Sequence, residues 1–369
     1  MKVCAYLHVS RCLEPSGGVG RHANSLLKRL AQREGIDVSA LYCRPSLDPD
    51  GRGPTNFPLR HLPARYLPGK ELVFERAVRQ LGVPPLDWFG DEADWYYAPM
   101  ETRLPVRRAY SAVTLHDVAM FETDLPWSGS AAHKRAHRTY SRWVPRTLER
   151  VDRLLTVSEF SRQRIVDFFG VDPEKIKVVG NGVEDMFFAA GSAGAQGIPK
   201  NNEIVVLGGL RYKKGAEHVL AVADALQRRA SPLRIVVIGQ NEPAYTGRAK
   251  GHPHIEVLGM IPDEALVDRL ARARALMLLS LYEGFGIPAL EAMACGTVAV
   301  VSNIASLPEV VGEAGLVVEP DRANEIAAML DQLKSDSAWH NELVLRGRQH
   351  AQAYTWDRCT DRLVSALSI

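Results

Sequence analysis

Two glutamates eight positions apart, Glu283 and Glu291, stand in the segment Ser280-Leu-Tyr-Glu283-Gly284-Phe285-Gly286-Ile287-Pro288-Ala-Leu-Glu291-Ala-Met-Ala-Cys-Gly296. The apolar run Ala275–Leu279 reads as a strand ahead of them. Two glycines follow, and Pro288 sits where a first helical turn tolerates the missing N–H. Free amides at such a helix start, backed by the helix dipole, form an anion site, and the glycines let a phosphate approach the chain closely. With Glu283 before the helix and Glu291 about one turn inside it, both carboxylates can accept hydrogen bonds from one bound molecule. Two acids beside a phosphate site suit a sugar nucleotide, one for the sugar and one for the ribose. An amphipathic helix with a solvated glutamate behind a Gly-Pro turn fits the bare pair equally well.

Further groups point to the same chemistry. Leu207-Gly-Gly209-Leu-Arg211-Tyr-Lys213-Lys214-Gly215 closes a strand and opens a helix, bringing two or three cations to the same crevice. Cations there would neutralise charge on a departing nucleoside diphosphate, although a solvated Arg-Lys turn has the same composition. Gly259 and Met260, at the end of the strand Ile255–Leu258, join the candidate donor loops. Thr114-Leu115-His116-Asp117 closes another buried strand, so His116 is expected to point into the crevice, either toward a sugar or bonded to backbone in the core. Ser16-Gly17-Gly18-Val19-Gly20-Arg21 precedes a helix and offers amides to a donor phosphate or an acceptor headgroup. Gly18-x-Gly20-x-x-Ala23, with Arg44 after the second strand, also fits a dinucleotide fingerprint, which keeps an NADP-binding oxidoreductase open. About eight residues separate Val9 from Gly18, however, and the fingerprint needs its glycines directly after the strand.

The elements that must position these groups alternate along the whole chain. Val3–Val9, Val38–Tyr42, Ala112–Leu115, Arg153–Val157 and Ile176–Val179 read as strands, with a helix over Val19–Arg33. A second alternation has strands at Glu203–Leu207, Arg234–Ile238, Ile255–Leu258, Ala275–Leu279 and Val298–Val301. Its helices are expected at Ala216–Arg229, Asp263–Ala273, Pro288–Ala294 and Ala323–Lys334. The pattern predicts two doubly wound Rossmann-like α/β domains facing across a cleft. The boundaries are 1–183, a small-residue linker over 184–202 and 203–351.

Composition sets the outer limits. The 369 residues are 46% hydrophobic and 24% charged, which excludes a disordered or fibrous chain and agrees with two domains. Five scattered cysteines give neither a disulfide framework nor a zinc site. Residues 1–183 carry 27 basic against 21 acidic groups and the remainder 18 against 22, so the first half is expected to meet something acidic without being a nucleic-acid binder. Lys134, Arg138, Arg142, Arg146 and Arg150 recur every four residues, as on one side of a helix that touches an anionic membrane or is simply solvated, with Pro145 interrupting. No apolar run is long enough to span a bilayer and the start is no signal peptide, so a cytoplasmic protein is expected, with peripheral contact on the cytoplasmic face of the inner membrane left open.

The string E-G-F-G-x-P-x-L-E followed by A-M-A-C-G resembles the signature of the retaining glycosyltransferases of family 4, and the resemblance covers nearly the whole chain in motif order. It implies a GT-B fold and sugar transfer without a metal or other cofactor, in keeping with the lack of an Asp-x-Asp motif. By the resemblance, Glu283 contacts the transferred sugar, Glu291 holds the ribose, and the loop Gly284, Phe285, Gly286, Ile287 and Pro288 binds the diphosphate. His116 lies beside the reacting sugar, and Lys214 matches the family lysine. Gly209 occupies the frequent arginine position, so Arg211 or Lys213 must substitute, or the phosphate is held by fewer cations. Gly17 and Gly18 match a first-lobe glycine loop. Ser158-Glu159-Phe160-Ser161 and Val178-Val179-Gly180-Asn181-Gly182-Val183 complete the pattern. Tyr354-Thr-Trp356-Asp357 resembles the closing segment, which implies that residues 352–369 pack back on the first domain. Ser302-Asn303-Ile-Ala-Ser306-Leu-Pro308-Glu309 and the residues to Gly315 are similar to a branch rich in mannosyltransferases of bacterial surface-polysaccharide assembly. That implies GDP-mannose as donor, ahead of UDP- or dTDP-sugars, with a lipid-linked saccharide or a soluble metabolite as acceptor. A sugar-nucleotide epimerase of the same fold remains an alternative.

Overall fold

Runs apolar on both faces become central strands of two all-parallel sheets, because only a strand covered by helices on each side can be hydrophobic throughout. The first sheet contains β1 (Lys2–Tyr6), β2 (Asp37–Cys43), β3 (Ala64–Leu67), β4 (Trp95–Ala98), β5 (Tyr110–Thr114), β6 (Arg153–Thr156) and β7 (Ile176–Val178). Its order is β3-β2-β1-β4-β5-β6-β7. The second contains β8 (Glu203–Leu207), β9 (Arg234–Ile238), β10 (Ile255–Gly259), β11 (Ala275–Leu278), β12 (Val298–Ser302) and β13 (Leu316–Val318), in the order β10-β9-β8-β11-β12-β13. The computed structural model describes residues 1–14, 16–43, 54–194 and 199–368. The chain divides into two compact units, Met1–Gly182 with Trp356–Ile369, and Val183–Thr355.

In each sheet the winding reverses once, between β1 and β4 in the first and between β8 and β11 in the second. Loops leaving the carboxyl ends of the strands part at such a point and open a crevice for a ligand.

Several elements differ from the sequence reading. β1 ends at Tyr6, and Val9–Cys12 forms a helical turn where the strand was expected to continue. β4 escaped notice because its Trp-Tyr-Tyr-Ala is aromatic rather than aliphatic, and β3 because this edge strand, with Arg65 and Tyr66 exposed, has no apolar run. The row of basic residues is not one helix: Ala131–Tyr140 stops at Ser141, and Val144–Arg150 restarts with Pro145 in its first turn. Within the expected linker, Asp185–Gly194 is a helix, and residues 195–198 lie outside the described residues. Its small residues serve close packing rather than slack: a Cβ on Gly191 would lie 1.9 Å from the Ala294 carbonyl oxygen. Just beyond, the Lys200 ammonium donates to the Ala271 and Gly296 carbonyls at 2.8 and 2.7 Å, and burial lowers its pKa to about 8.

The last helix, Trp356–Leu367, packs on the first unit, as its resemblance to the closing segment implied. Trp356, Cys359, Leu363 and Leu367 share a buried cluster with Leu26, Leu27 and Leu30 of the helix Gly18–Leu30. Arg33 pairs with Asp357 at 3.3 Å and Asp361 at 2.7 Å on the rim of that contact. Among the described residues no helix is long and apolar enough to cross a membrane.

Candidate functional site

In the second unit the candidate donor residues leave the carboxyl edge of one sheet. Gly209, Arg211 and Lys214 follow β8, Gly259 ends β10 with Met260 just after it, and Glu283 to Pro288 follow β11. The β8 and β11 loops flank the point of reversal, so the two most informative motifs are brought together there. The Lys214 Nζ donates to Glu283 Oε1 at 2.5 Å, with both side chains partly covered. Ser280 Oγ donates to the same oxygen at 2.7 Å. The backbone N–H of Leu281 donates to the Lys213 carbonyl at 3.0 Å and fastens one loop to the other. An ammonium carries three donors, so Lys214 can keep Glu283 and still reach an incoming phosphate oxygen.

Ser306 supports this loop from β12: its hydroxyl donates to the Glu283 carbonyl at 2.9 Å and the Phe285 carbonyl at 3.0 Å. Ser302 Oγ donates to the Ser280 carbonyl at 2.7 Å. Gly286, with φ +102°, then turns the chain into the helix Ile287–Ala294, which no side chain caps. Glu291 lies inside that helix and is 2% exposed. Burial, with the Glu291 charge one turn back, pushes the Cys295 thiol up to about 12, which removes it as a nucleophile at neutral pH.

The glycine at the family arginine position has a physical reason. Gly209 has φ +77°, and a Cβ there would lie 1.9 Å from the Gln240 carbonyl oxygen, so no arginine fits without moving the β9 loop. Asn241 Oδ1 completes that turn by accepting from the Leu210 N–H at 2.6 Å. Arg211 is exposed in the same turn as Lys214, and among the described residues no carboxylate pairs with it. Gly259 and the exposed Met260 sit at the end of the edge strand, with β9 and β8 between them and Glu283, so the fold puts them on the edge but not beside the ion pair.

In the first unit, His116 follows β5 and is buried. Its Nε2–H donates to the Pro99 carbonyl at 3.1 Å, and its own carbonyl accepts from Ser161 Oγ at 3.1 Å. The Nδ1 atom and a second carbonyl lone pair are what remain for a ligand. The sequence reading missed His22, whose ring packs edge-on to His116 with centroids 4.6 Å apart. His22 Nδ1 donates to Asn181 Oδ1 at 2.8 Å, which gives the Asn181-Gly182 segment a positioning task beyond a turn. Gly17 and Gly18 stand at the start of the helix Gly18–Leu30 with no atom within 4 Å of an added Cβ, so packing does not demand glycine there. Gly20 is different, since its Cβ would meet the Arg11 carbonyl oxygen at 2.1 Å. The helical turn Val9–Cys12 separates β1 from these glycines, so they do not form the tight strand-to-helix turn of a dinucleotide fingerprint. Arg44 lies outside the described residues.

Burial holds the His22 imidazole well below its ordinary 6.5, with the His116 ring adding to the effect, and burial with Arg79 and Arg11 brings His8 down to about 3. Both rings stay neutral when folded but take a proton in the unfolded chain below pH 6.5. The unfolded state then binds more protons, so stability is full above that value and is lost as pH falls toward 3. Thermal melts from pH 7 to pH 4 are expected to show a falling Tm, with a shallower slope for His22→Asn. An equal slope would show that His22 carries none of it.

Two family descriptions match the chain: "Glycosyltransferase Family 4" over residues 16–186 and "Glycosyl transferases group 1" over residues 193–350. The chain is 26% identical to the O-antigen chain mannosyltransferase B of Escherichia coli, over 96% of its own length and 97% of that protein's. It is 33% identical to the MMP alpha-(1->4)-mannosyltransferase of Mycolicibacterium hassiacum, over 60% of this chain and 54% of that one. Among solved structures, Anabaena HepE in complex with UDP and glucose superposes with a TM-score of 0.68 over 100% of this chain and 99% of that chain, at 17% identity, a likeness of fold alone.

Proposed function

The chain belongs to the group 1 and family 4 glycosyltransferases and has their GT-B fold, and from that premise we propose that it moves mannose from GDP-mannose to a saccharide or lipid-linked saccharide acceptor. The donor is held by the second unit. Its diphosphate lies against the start of the helix Ile287–Ala294 and Lys214, its sugar against Glu283, and its ribose against Glu291. Arg211 offers a second cation in place of the family arginine, and Gly17 and Gly18 give first-unit amides. The acceptor is bound mainly by the first unit, beside His116. As the bond from the anomeric carbon to the phosphate oxygen breaks, its electron pair goes to that oxygen, where amides and Lys214 stabilise the charge. The same phosphate oxygen takes the proton of the acceptor hydroxyl, which attacks from the face the phosphate leaves. Configuration is retained without an enzymic nucleophile. The setting is surface polysaccharide or glycolipid assembly on the cytoplasmic side of the membrane.

The observation that carries this reading is the Lys214–Glu283 pair at the reversal point of the second sheet, one group suited to a phosphate and the other to a sugar hydroxyl. Mannose is favoured by the two mannosyltransferase relatives. A thermal-shift panel of GDP-mannose, UDP-glucose and dTDP-glucose tests it: a ligand at about 100 times its Kd adds about 2.7 kcal/mol to the folded state. GDP-mannose is expected to give the largest shift, and Glu291→Ala to abolish it. A larger shift with UDP-glucose would overturn the donor, and no shift with any nucleotide sugar would overturn the site.

A further inference from the structure

The crossover from β5 to β6 forms an open cavity of about 770 Å³ that the donor site does not use. Lys134, Arg138 and Arg142 line it, together with His133 and His137. The three cations are exposed, and among the described residues no carboxylate pairs with any of them. Lys134 and Arg138, four residues apart on the helix Ala131–Tyr140, destabilise it by repulsion, with Arg142 just past its end, a local cost that a bound anion would reverse. Glu122 is the one acid on the cavity wall, and Arg164 already grips both its oxygens, at 2.9 and 2.7 Å. His133 is buried, and its Nδ1 has no hydrogen-bond partner. His137 donates its Nδ1–H to the Met120 carbonyl at 3.0 Å, which ties this helix to the loop that carries His116 and leaves Nε2 for a ligand.

We propose that this cavity holds a phosphate or pyrophosphate group of the acceptor, so that the sugar acceptor of this enzyme is a phosphorylated one. The inference rests on the glycosyltransferase reading and adds the acceptor's chemical class. With Glu122 held by Arg164, the cations that line the wall concentrate an anion, and the volume, within the ~300–1,000 Å³ usual for ligand pockets, leaves room for a saccharide beside the phosphate. The anion can come from a lipid-linked diphosphate or from a soluble sugar phosphate.

The test keeps the donor site occupied. With saturating GDP present, inorganic pyrophosphate is titrated calorimetrically into wild type and into the double variant Arg138→Ala/Arg142→Ala. Both changes fall on exposed side chains. Wild type is expected to bind, and the variant to bind on the order of tenfold more weakly or worse, as loss of charge-assisted hydrogen bonds implies. GDP affinity itself is expected to be unchanged in the variant, and if GDP binds neither protein it is the donor reading that has failed. No pyrophosphate binding, or equal binding by both proteins, overturns the proposal. A second arm uses phosphatidylcholine vesicles doped with a polyprenyl diphosphate or, at the same charge, with phosphatidylglycerol. Pyrophosphate-competed recruitment to the first alone assigns the anion to a lipid-linked acceptor. Pyrophosphate binding without recruitment assigns it to a soluble one. Equal recruitment to both vesicles shows surface adsorption and overturns the cavity assignment.

Discussion

Replacing Lys214 by alanine is expected to lower kcat/KM for the sugar donor by roughly 10²–10³-fold, the loss that follows removal of one group aimed at developing transition-state charge. Most of that loss is expected in kcat, because the phosphate oxygen gains charge only as the glycosidic bond breaks. Steady-state kinetics with varied donor separate the two constants. The variant also leaves Glu283 with Ser280 but without its cation, and a bare carboxylate would repel a diphosphate. Lys214→Ala/Glu283→Gln isolates that repulsion: if the lysine acts on the phosphate, the second change restores little. The fold is expected to be spared, since a partly exposed ion pair contributes about 0–1 kcal/mol. A kcat/KM within about threefold of wild type would remove Lys214 from the mechanism.

How far the sequence carried this site depended on the range of each interaction. Strands β8, β9, β11 and β12 were legible because each carries an unbroken run of four apolar residues, and the glycines and Pro288 announce the helix start locally. Lys214 and Glu283 were each found from their own segments, but the bond between them exists only because β8 lies next to β11, a pairing that hydrophobic patterning does not encode. Ser306 stood in a segment read as a branch marker, and its grip on the Glu283 loop spans 23 residues of chain. His22 and Asn181 are 159 residues apart, and neither type in isolation marks a positioning pair. The sequence also showed a missing arginine at Gly209 without its cause, which is a carbonyl contributed by the next strand's loop. Patterning thus located the groups that act through their own chemistry, and lost those that act by holding another loop in place.

Gly286→Ala is expected to be the most damaging change that removes no functional group. The residue sits at φ +102°, where a side chain is strained, and its Cβ would lie 2.5 Å from Leu307 Cδ2. Leu307 is fully buried, so it cannot swing aside freely and the loop must move instead. That loop carries Glu283 on one side and the first amides of the helix on the other, and a shift of about 1 Å in a positioning element can cost on the order of 100-fold in rate. We therefore expect kcat/KM to fall about 100-fold, and the strained backbone to cost about 1–3 kcal/mol of stability, read as a lower Tm. The two causes separate in Gly286→Ala/Leu307→Ala, which removes the clash but not the strained φ. Partial recovery of activity beyond that of Gly286→Ala alone would show that the loop was displaced by the leucine. Gly18→Ala serves as the control for glycine loss as such, since no atom lies within 4 Å of its added Cβ and its Tm is expected to stay near wild type. If Gly286→Ala kept full transfer despite a lowered Tm, the start of the helix Ile287–Ala294 would be a structural turn, and the diphosphate would have to be held elsewhere.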